Sequence, residues 1–213
     1  MNKIISTILI LFFLNNISLF SQIQIGVSGG MMSSSLSGDA PEDASYSGKA
    51  GLSGGIIADF NITEGIILSI QPRYLQKGSS VAYDVGEYEL RDSLTATFNY
   101  FSLPVMIKIN SLNNRVFFSS GLDFGYLMSS SVENIVDGST KDINNLIQKF
   151  DLSATFGFGV NFPVGSPTIS LEVRYMQSLL NLSDISSDES GVVFPYRFRT
   201  SGFQFLTSII FPI

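Results

Sequence analysis

The chain has 213 residues and a formal charge of −6, with 45% hydrophobic but only 14% charged residues, 18 phenylalanines and 19 glycines. That acidity argues against nucleic acid as a partner, and the absence of cysteine excludes disulfides, a lipoprotein anchor and Cys-ligated metals. The absence of histidine removes Ser-His-Asp and Cys-His nucleophilic sites and most zinc sites.

The chain opens with a short positive start at Asn2-Lys3, where Lys3 carries the charge, and an apolar run over residues 4–13 broken by Ser6 and Thr7. Small residues follow at Ser18 and Ser21. Residues 1–21 therefore read as a secretory signal peptide cleaved before Gln22, because the apolar core is too short to span a bilayer. Residues 22–213 then form one domain. Nothing in them approaches the roughly 20 apolar residues of a membrane helix. A β-barrel resolves the tension with the high apolar content, since it carries its apolar residues in alternation rather than in runs.

Eight segments show that alternation. In the first, about 22–36, Ile23, Ile25, Val27 and Met31 oppose Gln24, Gly26, Ser28 and Gly30. In the second, about 48–62, Ile56, Ala58, Phe60 and Ile62 oppose Ser53, Gly55, Asp59 and Asn61. The third, about 66–77, sets Leu68, Ile70, Pro72 and Tyr74 against Ser69, Gln71 and Arg73. The fourth, about 93–110, sets Phe101, Leu103, Val105, Ile107 and Ile109 against Ser102, Pro104, Met106, Lys108 and Asn110. Around residues 98–101 its pattern slips by one, which predicts a bulge or the strand leaving the membrane.

The fifth, about 115–129, sets Phe118, Leu122, Phe124 and Tyr126 against Ser119, Gly121, Asp123 and Gly125. The sixth, about 150–162, alternates without a break, from Leu152 to Phe162 against Asp151 to Asn161. The seventh, about 168–177, sets Ile169, Leu171, Val173 and Tyr175 against Ser170, Glu172 and Arg174. The eighth, about 197–211, sets Phe203, Phe205, Ile209 and Phe211 against Gln204 and Ser208, with Leu206 and Ile210 as exceptions. This last alternation can serve as an assembly signal or simply face lipid.

Short connections at 63–65, 111–114 and 163–167, rich in Gly, Pro, Asn and Ser, alternate with long polar ones near 37–47, 78–92, 130–149 and 178–196. All short turns therefore fall at one end, the asymmetry of an outer-membrane barrel with long outer loops. The predicted fold is all-β: an eight-stranded antiparallel up-and-down transmembrane barrel. A soluble lipocalin-like barrel would point its apolar residues inward instead. The polar set decides between them: it is small and holds three charges of each sign, as a narrow lumen requires. We expect Arg73, Lys108 and Arg174 to interlock there with Asp59, Asp123 and Glu172, since an unpaired buried charge costs several kcal/mol. Tyr74, Tyr126 and Tyr175 near one end, with Phe60, Phe162 and Phe211 near the other, read as two aromatic girdles.

The stretch from Tyr100 to Lys108, with Leu103 and Pro104 inside it, resembles the Tyr-(apolar)-x-(apolar)-Pro-(apolar)3-Lys strand of the PorT-like outer-membrane β-barrel proteins of Bacteroidetes. The glycine-rich strands around Gly121 and Gly157, and the run Leu171 to Tyr175 followed by Leu179-Leu180-Asn181, are similar to that family too. The resemblance implies the same barrel and carries no catalytic signature. The family's namesake is implicated in protein secretion across the outer membrane.

Carboxylate pairs at Glu42-Asp43, Glu87 with Glu89 and Asp188-Glu189 could hold calcium or bridge to sugars, but also suit solvated loops. Gly157-Phe158-Gly159 lies mid-strand with no helix after it, so it is no nucleotide motif; its glycines leave room in the lumen or let the strand twist. No cofactor or metal is expected. The reading is a non-enzymatic outer-membrane barrel of a Gram-negative cell, solvated by membrane lipid. Its role would be envelope-structural or one of surface interaction, meeting envelope proteins or surface glycans through the acidic loops 78–92, 130–149 and 178–196. A secretion accessory or a narrow channel is the alternative.

Overall fold

The computed structural model describes residues 23–38, 44–83, 93–135, 137–182 and 198–213. The signal-peptide expectation for 1–21 and the three carboxylate pairs lie outside those residues. Ten strands follow in order: β1 (Ile23–Gly38), β2 (Ala44–Asn61), β3 (Ile66–Ile70), β4 (Arg73–Tyr83), β5 (Ser93–Asn110), β6 (Val116–Asn134), β7 (Thr140–Asp142), β8 (Phe150–Pro163), β9 (Thr168–Ser178) and β10 (Phe198–Pro212). All pairings are antiparallel, and β1 pairs with both β2 and β10, so the sheet closes on itself. β3 and β4 are two halves of one stave, since both lie between β2 and β5, and β7 is a short addition to β6. The result is a closed eight-staved barrel, which abolishes free sheet edges.

The interruption between β3 and β4 has a local cause. Pro72 has no N–H, and Pro104, across the gap on β5, has none either. Each proline still accepts: Gln71 N–H donates to the Pro104 carbonyl at 3.0 Å and Ile56 N–H to the Pro72 carbonyl at 3.0 Å. The ladder thus loses donors at one point without losing the stave.

A bulge does fall at the slip read in β5, although the slip in the pattern has a second cause. Inward parity runs unbroken through Ala96, Phe98, Tyr100, Ser102 and Met106, all buried. The apparent slip arises because Phe98 and Tyr100 are aromatic fillers on the inner face. A register shift does fall between Asn99 and Tyr100, but the extra residue is Met128 on β6, which leaves Met128 and Ser129 both facing outward. Likewise Leu206 and Ile210 keep their parity and are buried in the lumen.

The short turns are built as their sequences require. Thr63 Oγ1 accepts from Ile66 N–H at 3.1 Å, Asn114 adopts a φ of 55°, and Gly165 a φ of 71°. Several long connections are shorter than the sequence suggested, because the strands continue into them. β4 runs to Tyr83, β6 to Asn134, and residues 143–149 fold back over the barrel mouth.

Candidate functional site

Burial separates the two faces of every stave. Phe156, Leu171 and Ile107 are 58%, 44% and 39% exposed, whereas Arg73 and Glu172 are 2% and 6% exposed. The outer surface is therefore a band of Ile, Leu, Val and Phe, and the polar half of each alternation lines a filled lumen. Edge-on aromatic pairs tile that outer band, with Phe118 against Phe158 at 5.4 Å and Tyr126 against Phe150 at 5.3 Å. So large an exposed apolar belt would be a liability in water and is a solvent-matched surface in lipid.

Inside, the structure brings the six charged residues read from the sequence together as three pairs. Arg73 Nη2 lies 2.7 Å from Asp123 Oδ2, Lys108 Nζ 2.8 Å from Asp59 Oδ2, and Arg174 Nε 2.6 Å from Glu172 Oε1. Neutral donors occupy the remaining carboxylate lone pairs. Ser102 donates to Asp123 at 2.6 Å, Ser119 to Glu172 at 2.6 Å, and Ser69 to Asp59. The second carboxylate oxygen of Glu172 accepts from Arg174 Nη2 at 2.7 Å, making that pair bidentate. Arg73 also reaches Gln204 Oε1 at 3.0 Å, which ties β4 to β10 across the barrel.

A fourth pair escaped the sequence reading: Lys77 Nζ sits 2.6 Å from Asp151 Oδ2, with Ser178 and Ser153 completing the carboxylate shell. Lys77 shares the parity of Arg73, but apolar Leu75 stands between them and masks the continuation. The pairs also act on one another. Lys77 attracts Asp123, Glu172 attracts Arg73 and Lys108 attracts Glu172, while Arg73 and Arg174 lie close enough to repel one another. Four cations face four anions, and the ladder is neutral.

Space for the ladder comes from glycines on β8. A Cβ on Gly157 would stand 2.4 Å from Ser119 Oγ and 2.6 Å from Glu172 Oε1, and one on Gly159 would stand 2.2 Å from the Phe117 ring. The pair therefore makes room in the lumen. Of the residues in the Tyr100–Lys108 stretch, Tyr100 is fully buried with the Lys77 ammonium 5.1 Å from its ring centre. Leu103 faces outward, Pro104 inward, and Lys108 belongs to the ladder.

The two ends differ. At the long-loop end Met32, Leu75, Phe98, Leu127, Met176 and Phe198 pack around Ile143, Ile147 and Leu182, three residues supplied by the loops. Backbone bonds fasten this cap: Ile143 N–H to the Ser130 carbonyl at 3.1 Å, Gln148 N–H to Leu182 at 2.8 Å, and Leu182 N–H to Phe198 at 2.9 Å. Asn144 Oδ1 accepts from Ser130 N–H at 2.6 Å. At the short-turn end a funnel of about 990 Å³ opens, bottomed by Lys108, Asp59 and Phe117 and rimmed by Asn61, Asn110 and Asn161. Among the described residues no cluster of three or more Asp, Glu, His or Cys is placed to hold a metal.

The chain resembles several solved barrels at low identity. Neisserial surface protein A matches at 11% identity over 87% of this chain and 96% of that one, with a TM-score of 0.45. Ail, the attachment invasion locus protein of Yersinia pestis, solved with the heparin analogue sucrose octasulfate, matches at 13% over 89% and 99%, TM-score 0.45. The outer membrane protein OprG of Pseudomonas aeruginosa matches at 11% over 89% and 95%, TM-score 0.45. No curated protein sequence matches. The sequence model of the outer membrane protein beta-barrel domain matches residues 16–184, well over half of the chain. The chain thus belongs to the family of outer membrane beta-barrel domains, and its exposed apolar belt is the surface that family turns toward lipid.

Proposed function

We propose that this outer-membrane barrel is non-enzymatic and blind-ended, a rigid post that holds its long connections at the cell surface for contact with other envelope components. The observation that carries this reading is the filling of the lumen: paired, hydrogen-bonded charges in its middle and an apolar cap, built partly from loop residues, across one mouth. A channel needs a continuous aqueous path, and an eight-staved interior is just wide enough for such side chains. Reconstitution in a planar bilayer tests it. Flat current traces at moderate voltage support the post; reproducible ohmic steps would establish a channel instead.

The interacting part narrows from the loops first read. Ile143 and Ile147 belong to the cap, so residues 143–149 cannot be removed without opening it. The candidate contact segments are 84–92, 183–197 and the hairpin around β7, with envelope proteins or surface glycans as partners. Replacing 84–92 and 183–197 with short Gly-Ser links should leave the barrel intact and abolish partner capture in a pull-down; unchanged capture would move the contact elsewhere. Export through a cleaved leader is part of the same reading, and N-terminal sequencing of the mature protein should begin at Gln22.

A second reading, an accessory of a secretion or assembly system, draws on the likeness of the Tyr100–Lys108 stretch to the PorT-like barrels of Bacteroidetes. Co-purification with a large envelope complex would favour it over the free-standing post.

A further inference from the structure

The outward positions of β4, β5 and β6 lie in register as four rows, one position of which is a glycine covered by Lys49. Tyr74, Phe101 and Tyr126 form the last row of the apolar belt. One step toward the long connections stand Gln76, Asn99 and Ser129; then Gly78, Thr97 and Ser131; then Ser80, Thr95 and Glu133. The change from aromatic to neutral polar is complete within two residues on β4 and β5, as at a membrane boundary, while on β6 the exposed bulge residue Met128 stands between Tyr126 and Ser129.

The second row is already organised. Tyr74 donates its hydroxyl to Asn99 Oδ1 at 2.6 Å, Gln76 Nε2 donates to the same oxygen at 3.0 Å, and Asn99 Nδ2 donates to Ser129 Oγ at 2.9 Å. These bonds use neither the Gln76 carbonyl nor the Ser129 hydroxyl hydrogen, so an acceptor and a donor remain beside the aromatic row. Charge is sparse. Lys49 reaches across Gly78 to Thr97, and Glu133 acts on it with the opposite sign. Past β6, the next staves are shorter at this end: β8 begins at Phe150 and β9 ends at Ser178, so β8 and β9 raise no comparable wall.

We propose that this wall on β4–β6 is a contact surface for the sugar head group of a glycolipid whose acyl chains lie on the adjoining aromatic row. The proposal rests on the membrane-barrel reading with the long connections facing outward. Two features select the occupant. The surface is continuous with the lipid-facing belt, which makes the occupant a lipid. Its rows offer neutral amides and hydroxyls instead of a cluster of cations, which matches hydroxylated sugars and not phosphate.

The test uses the full mature chain folded into phosphatidylethanolamine–phosphatidylglycerol vesicles containing purified rough lipopolysaccharide, either intact or phosphatase-treated. Glycolipid retained per barrel is then counted by native mass spectrometry after detergent extraction. Retention should be equal in both arms for the wild type. It should fall about tenfold in Asn99→Ala, the loss of one or two neutral hydrogen bonds. It should also fall in the milder Ser129→Ala, and hold in Gln177→Ala on β9. Equal retention by Asn99→Ala and Ser129→Ala would overturn the proposal, and so would loss of wild-type retention on dephosphorylation, which would make the contact one of phosphate. Heat-dependent gel migration of each sample reports insertion separately. A wild type that fails to insert would sink the membrane reading itself, whereas an inserted barrel without retained glycolipid would sink only this inference.

Discussion

Lys108 and Asp59 show most plainly what single residues contribute. The Lys108 ammonium is held 2.8 Å from a carboxylate whose other oxygen is bonded by Ser69, and both side chains are nearly sealed from solvent. Lys108→Met should therefore cost about 3–5 kcal/mol, because it strands a buried carboxylate. The double change Asp59→Leu with Lys108→Met should recover most of that loss. Urea unfolding in lipid vesicles reads both midpoints; a single variant as stable as the wild type would show that the lumen is wet enough to solvate Asp59 alone. Gly157→Val makes an independent prediction. Its Cβ collides with Ser119 and Glu172, and over-packing of this kind costs about 1–3 kcal/mol. Residue-level parity was legible wherever neighbours of the same face were polar, as around Arg73, Asp123 and Glu172. It was not legible at Lys77, where Leu75 fills the lumen between two cations. Partner identity was beyond the sequence altogether, because which cation meets which anion depends on the shear of the barrel.

Elements tell a similar story of pattern and exception. The staves could be read because one face of each is uniformly apolar, and the tight turns because Asn114 and Gly165 suit positive φ. The cap could not. Residues 143–149 are polar on average, and only their folding back sets Ile143 and Ile147 against Met32, Phe98 and Met176. Nor could the Met128 bulge be assigned to β6, since the visible irregularity was the aromatic filling of β5. The cap gives a prediction at this scale. Ile147→Ala should destabilise by about 2–5 kcal/mol, like other large-to-small changes in a packed core. Its loop should also become susceptible to protease added outside vesicles while the barrel stays protected. Resistance equal to the wild type would show that the cap is not held by this packing.

At the scale of the whole molecule the barrel joins three environments: lipid around the belt, a neutral ionic ladder inside it, and an apolar cap over one mouth. The central claim is that the apolar half of each alternation meets acyl chains. Because the chain has no cysteine, single-cysteine variants can be spin-labelled without background. The most direct measurement is the accessibility of labels along β8 and β9 in vesicles, at Phe156→Cys, Phe158→Cys, Leu171→Cys and Val173→Cys against Thr155→Cys and Ser170→Cys. Lipid contact predicts that the first four relax strongly with membrane-dissolved oxygen and weakly with a water-soluble nickel chelate, while the last two respond little to either. Strong relaxation of the Phe156 and Leu171 labels by the nickel chelate would contradict it.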